Sequence, residues 1–334
     1  ALYAPGLGYY ERPGRIGRGG DFFTSVSTGP LFGQLLAFQF AEWLDGECPE
    51  GKFQVVEAGA HDGRLAADIL DWLDRHRPDL ISRLEYCMVE SSPARRPWQE
   101  KTLRSWKSNL KWVPNIGEFG KRQIDGIVFS NEFFDALPVH RLAWDAKESR
   151  WREWRVIVAR DGFTWHLDDL AADLDGRLPP VPAELARVLP DGFIAEVSPI
   201  ASDWWRTAGR ALRRGKLLTI DYGFSAENWL RPDRSRGALR AFAGHRASAD
   251  LLAQPGEQDL TADVNFFALE EAGRAEGLGA AILVRQSKFL TQILAKIHAK
   301  PEAFAPWDRK SARQFQTLAH PEHLGHPFQV LIQY

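Results

Sequence analysis

Cysteine is scarce in this chain: only Cys48 and Cys87 occur in 334 residues. Two thiols cannot form a disulfide framework, and their spacing is not that of metal ligands, so no metal site is expected and a reducing compartment suits them. The expected location is cytoplasmic, or the mitochondrial matrix if the source is eukaryotic. Long apolar runs are missing too. None approaches the roughly 18 residues of a membrane span, and no secretory leader is visible. Nor does charge of one sign dominate. Lys and Arg number 42 against 44 Asp and Glu, and a net charge of −2 gives no overall pull toward nucleic acid or a membrane surface. There is no internal repeat. What remains is ordinary for a globular enzyme, with 44% hydrophobic and 26% charged residues. The length suits two domains, or one domain with large insertions.

The most informative stretch is Lys52 to Leu65. A short apolar run ends in Glu57, and Gly59 and Gly63 follow, four residues apart. Beyond them Leu65, Ile69, Trp72 and Leu73 fall on one helical face. This predicts strand, tight turn and helix, with backbone N–H groups and a positive helix end turned toward a ligand. A dinucleotide fold would place its glycines first and its acid about 20 residues later. Here the acid comes first.

The alternation continues. Strands are expected at 84–90, 110–113, 125–129 and 216–220, with helices between them, which argues for a mostly parallel sheet covered on both faces. Glu57, Glu90, Asn131 with Glu132, and Asp221 all fall at carboxyl ends of apolar strands. In an open parallel sheet those ends line one crevice, where ligands bind.

Three stretches break the rhythm. Residues 1–50 form an arm and a first helix, for which Ser27 or Thr28 is the expected cap. The Gly- and Arg-rich part of the arm is either solvated or a glycine-hinged flap. Residues 139–194 are expected as a substrate-side insertion, with a strand pair turning at Arg160-Asp161-Gly162. Residues 224–264 are turn-rich but not of low complexity, which suggests an ordered lid. The core then comprises 51–138 and 195–334, closing with strands at 280–285 and 328–333.

Several blocks together resemble the MidA-like family of class I S-adenosylmethionine-dependent methyltransferases. They are Glu57-x-Gly59 with Gly63, Gly19-Gly20-Asp21-Phe22, Asn131-Glu132-Phe133-Phe134-Asp135, Ile220-Asp221-Tyr222-Gly223, Gly237-Ala238-Leu239-Arg240 with Gly244-His245-Arg246, and Pro255-Gly256-Glu257 with Asp259-Leu260-Thr261. The likeness implies a Rossmann-like, mostly parallel seven-stranded sheet with inserted substrate-side segments. It implies S-adenosyl-L-methionine as cofactor, held by Glu57, Gly59, Gly63, Glu90, Asn131, Gly20 and Asp21. It further implies transfer to an arginine nitrogen of a protein, and because the family includes a mitochondrial arginine methyltransferase that assists complex I assembly, the expected partner is a protein substrate such as a respiratory-complex subunit, or else a small-molecule acceptor. Glu132 and Asp135 are the natural pair for a guanidinium, with Asp221 and Tyr222 in support. Asp135 has an alternative role as a helix N-cap. The family has glycine where this chain has His61. A small-molecule methyltransferase and a non-catalytic assembly factor that kept the fold are the competing readings.

Overall fold

Strands β1 (Phe53–Ala58), β2 (Leu84–Val89), β3 (Leu110–Val113) and β4 (Ile124–Asn131) are apolar runs ended by polar residues or turns. The structure is a computed structural model that describes residues 1–12, 24–174, 176–178, 181–243 and 246–334. β1 pairs in parallel with both β2 and β4, and β4 in parallel with the strand Leu212–Phe224. The sheet runs Ile282–Arg285, Phe328–Gln333, Leu212–Phe224, β4, β1, β2, β3. Phe328–Gln333 is antiparallel to both neighbours. These seven strands are those expected, and the short strand Val264–Asn265 adds an eighth beside Leu212–Phe224.

All eight residues of β4 are buried, as the centre of a doubly covered sheet requires. One face packs on α1 (Leu31–Glu47) and α2 (Arg64–His76), backed by the helices Gln286–Ala299 and Arg309–Ala319. The helices Pro199–Ala211 and Phe266–Arg274 cover the other. In α2 the buried residues include Leu65, Ile69, Trp72 and Leu73, the face read from their spacing.

Two local expectations need correction. α1 takes no cap from Ser27 or Thr28, because both hydroxyls close a 3₁₀ turn onto Thr24 and Ser25. Its first N–H, at Leu31, instead donates to Gln314 Oε1 at 3.0 Å. No helix follows Asp135, so the N-cap role for it disappears.

The strands His140–Asp145, Arg150–Ala159, Gly162–Asp169 and Ile194–Val197 form a separate antiparallel sheet. It has its own core, with Leu142, Trp144, Trp151, Phe193 and Trp229. This sheet extends to Val197, so a boundary at 194 cuts its last strand. Within 224–264, Arg240–Ala243, Arg246–Ser248 and Asp259–Thr261 make a third, three-stranded sheet.

Candidate active site

The carboxyl ends of β1, β2, β4 and Leu212–Phe224 open onto one cavity of about 1100 Å³. The β1–α2 turn forms one side. Gly59 lies at φ +75° and Gly63 at φ +82°, both in the left-handed region that a side chain resists. A Cβ at Gly59 would press on Phe133, and one at Gly63 on Leu103, so these glycines serve the turn's shape and its packing. Gly63 stands at the start of α2, while Gly59, Ala60 and His61 face the cavity. His61 occupies φ +45°, a conformation suited to glycine, with Gln99 Nε2 donating to its carbonyl at 3.1 Å.

The acids on this side are already engaged. Glu57 is 2% exposed and accepts from the Tyr86 hydroxyl at 2.6 Å, while burial pushes its carboxyl up to about 7. Glu90 accepts from Ser92 N–H and Gln99 Nε2, each at 2.8 Å, and pairs with Arg95 at 2.8 Å.

Across the cavity the chain leaving β4 turns sharply. Glu132 takes φ +51°, a strained conformation of the kind that collects at functional sites. The next three N–H groups, of Phe133, Phe134 and Asp135, all point at Asp221 Oδ2, at 3.2, 2.9 and 3.3 Å. Tyr222 N–H donates to the other oxygen at 2.8 Å. Asp221 is fully buried and does not line the cavity, so it anchors the loop rather than reaching a reactant. Glu132, Asp135 and Tyr222 do line it. Tyr222 packs its ring on Phe328, with centroids 3.9 Å apart.

Electrostatically this half is under tension. Glu132 Oε1 accepts from Ser25 N–H at 3.1 Å and Asn131 Nδ2 at 3.0 Å, and the residue lines the cavity. Burial, then Asp135, pushes the Glu132 carboxyl up to about 8. Asp135 is pushed well above the carboxylate range by burial and by Asp221 and Asp259. Asn131, 9% exposed, keeps its Oδ1 buried with no hydrogen-bond partner among the described residues.

Of the residues read from sequence, Gly20 and Asp21 lie outside the described residues, as do all of Gly19–Phe23 and Gly244 with His245. Glu57, Gly59, Glu90, Asn131, Glu132, Asp135 and Tyr222 are brought together around one cavity. Sequence reasoning gave no role to Tyr3 and Tyr10, to Arg240 and Asp259, or to Gln314, which complete its wall. The Pro255–Thr261 block was the available signal for Asp259.

The donor set fits an adenosyl amino acid. Two strand-end acids and a glycine turn with backbone exposed to the cavity match its hydroxyls and ammonium.

Known proteins bear on this geometry. A family profile described as "Putative S-adenosyl-L-methionine-dependent methyltransferase" matches residues 35–284. The mitochondrial protein arginine methyltransferase NDUFAF7 homolog of Drosophila melanogaster is 30% identical, over 100% of this chain and 79% of its own length. The mouse (Mus musculus) protein arginine methyltransferase NDUFAF7 is also 30% identical, over 98% of this chain and 77% of its own. A Burkholderia thailandensis protein solved with S-adenosyl-homocysteine bound superposes with a TM-score of 0.81 at 31% identity, over 99% of this chain and 84% of that one.

Proposed function

The chain belongs to a family of S-adenosyl-L-methionine-dependent methyltransferases, and from that premise we propose that it methylates the guanidinium of arginine on a protein. The observation that carries the reading is the half of the cavity around β4. Glu132 and Asp135 line this half with carboxyls raised while no cation is present, and once ionised they offer a ligand acceptors and negative charge. A protonated guanidinium, with five N–H donors and no acceptor, complements such a surface.

S-adenosylmethionine, when bound, supplies a methyl group activated by its sulfonium. Gly59, Glu57 and Glu90 are the residues proposed to hold it, with Gly63 fixing the turn. Glu90 keeps acceptor capacity for ribose hydroxyls beside its bonds to Ser92 and Gln99. Asp221 holds the Phe133–Asp135 backbone and so fixes where Glu132 and Asp135 point. Glu132 and Asp135 orient the guanidinium and take the proton that the attacking nitrogen sheds. Cys48 and Cys87, both buried free thiols, suit a reducing compartment, the cytoplasm or the mitochondrial matrix. A respiratory-complex subunit is the proposed acceptor protein, on the family likeness alone.

A small cationic amine is the second reading, favoured by the roof that Tyr3, Tyr10 and Phe242 place over the cavity. The experiment is to incubate the protein with methyl-labelled cofactor and lysate of the source cells. Label on protein arginine is expected. Label confined to small molecules would overturn the arginine assignment and promote the second reading.

A further inference from the structure

The amino ends of the central strands carry a second cavity. β4 and the strand Leu212–Phe224 pair in parallel from Ile124 and Leu212 onward. Asp125, Arg213 and Arg214 therefore lie at the sheet edge opposite the cavity described above. There a cavity of about 380 Å³ is lined by Lys121, Arg122, Arg210, Arg213 and Arg214, with Glu276 as the one acid among its lining side chains. The helices Pro199–Ala211 and Phe266–Arg274 both end beside it.

The cations outnumber their partners. Arg210 holds Glu276 through Nε at 3.0 Å and Nη2 at 2.6 Å. Arg213 and Arg214 share the single carboxylate of Asp125, Arg213 through two N–H groups and Arg214 at 3.4 Å. Lys121 and Arg122 make no side-chain hydrogen bond or ion pair among the described residues. Three positive charges are thus in excess: Lys121, Arg122 and the second guanidinium on Asp125.

Helix ends do not account for this excess. A helix C-terminus attracts cations through its last carbonyls, but backbone groups already take them here. Arg122 N–H donates to the Arg210 carbonyl and Gln123 N–H to the Ala211 carbonyl, each at 2.9 Å. After Phe266–Arg274, the N–H groups of Ala275, Glu276 and Leu278 turn back onto Glu271 and Gly273. Arg122 makes its contact at φ +52°, a left-handed conformation that side-chain residues resist and that collects at functional sites. The two acids present report the sign of the field. Arg210 holds the Glu276 carboxyl below its usual range, and Arg213 does the same to Asp125.

We propose that this cavity binds a small phosphate-bearing anion of two or more charges. Guanidinium forks grip two phosphate oxygens at once, and Lys121 adds a point charge. A single carboxylate would leave most of the excess unanswered. The site stands apart from the methyl-transfer cavity and does not depend on the arginine reading. Arg210, Arg213 and Arg214 remain about half exposed, so binding should weaken with salt.

The test is calorimetry with sodium pyrophosphate at fixed ionic strength, with the protein saturated by S-adenosyl-homocysteine. Wild type should bind one pyrophosphate. The double variant Lys121→Gln, Arg122→Asn should weaken that binding about tenfold or more, with S-adenosyl-homocysteine affinity unchanged. Asparagine tolerates the left-handed backbone that Arg122 occupies, so the turn should survive. The control Arg104→Gln, Lys107→Gln removes the same charge from an exposed stretch elsewhere and should bind pyrophosphate like wild type. The proposal fails if the first double variant binds pyrophosphate as tightly as wild type. It fails equally if the control loses as much, since only net charge is then being read. Loss of S-adenosyl-homocysteine affinity together with pyrophosphate would make Lys121 and Arg122 structural, and again overturn it. If wild type binds a single-stranded oligodeoxynucleotide but not pyrophosphate, the surface reads a nucleic-acid backbone and the small-anion site is wrong.

Discussion

The two halves of the cavity treat their acids in opposite ways. Around β1 and β2 each carboxylate has partners from its own neighbourhood: Glu57 has Tyr86, and Glu90 has Ser92, Gln99 and Arg95. Around β4 the acids face one another. Burial, then Asp221 and Asp259, push Asp135 well above the carboxylate range, Glu132 is raised to about 8, and among the described residues the buried Asn131 oxygen has no donor. The first half is complete without a ligand, so its shape is preorganised and binding need not rearrange it. The second is made consistent by a cation. Binding and chemistry are thereby separated within one pocket, and substitutions should separate them too.

The largest effect is expected from the second half. Glu132→Gln and Asp135→Asn keep shape and remove charge, and each should lower turnover by about 10²–10⁴-fold, the usual span for acid–base work. S-adenosyl-homocysteine affinity, measured by calorimetry, should stay nearly constant. Parallel losses in both would erase the distinction between the halves. The same group sets a pH dependence. With Glu132 raised to about 8 in the folded enzyme, the carboxylate form grows as pH rises, so kcat/KM should climb through about 8. Stability moves the other way. The folded chain keeps this proton while the unfolded chain loses it near the ordinary glutamate value, so the contribution is fully present below about pH 4 and is lost as pH rises through about 8. Glu132→Gln lifts that penalty. Its melting temperature should gain on wild type between pH 4 and 8, and a gain that shrinks over that range would contradict the burial of the charge.

A smaller effect tests the first half. Glu90→Ala removes a charge-assisted acceptor worth about 1.5–3 kcal/mol. Affinity for S-adenosyl-homocysteine should fall about tenfold or more. Because Arg95 and Gln99 would lose their partner as well, Glu90→Gln is the control. It retains one oxygen and should lose less. Equal affinity in Glu90→Ala and wild type would remove Glu90 from the binding of the cofactor.

The difference between the halves also explains what the sequence made legible. The β1–α2 turn and Glu90 are local: an apolar run, an acid and two glycines sit within a dozen residues, and strand polarity puts the ends on one edge. The acceptor half is assembled from the chain's two ends and middle. Tyr10 and Asp259, about 250 residues apart, line one cavity, a meeting that no periodicity announces. Asp221 misled in a different way. A strand-end acid reads as a ligand-facing group, yet the strained turn at Glu132 aims three N–H groups at it and draws it out of reach. Alternation of strands and helices revealed the main sheet. The three-stranded sheet stayed hidden because Arg240–Ala243, Arg246–Ser248 and Asp259–Thr261 are too short to show a pattern.

The smallest effect belongs to His61, a side chain held at positive φ. Its φ of +45° costs a side-chain residue roughly 1–2 kcal/mol. Glycine would relieve that but lose more freedom on folding, roughly 0.4–1 kcal/mol. His61 has little else to give up: its ring meets Trp98 edge-on at 6.1 Å and stands 3.8 Å from Asp62. His61→Gly should therefore stabilise the protein by about 0.5–1 kcal/mol, measured as a small rise in denaturant midpoint. Because Gln99 already holds the His61 carbonyl, the turn should keep its shape and the affinity for S-adenosyl-homocysteine should change by less than about twofold. A tenfold gain in affinity would mean that the imidazole obstructs the pocket, and the first half would no longer be the preorganised one.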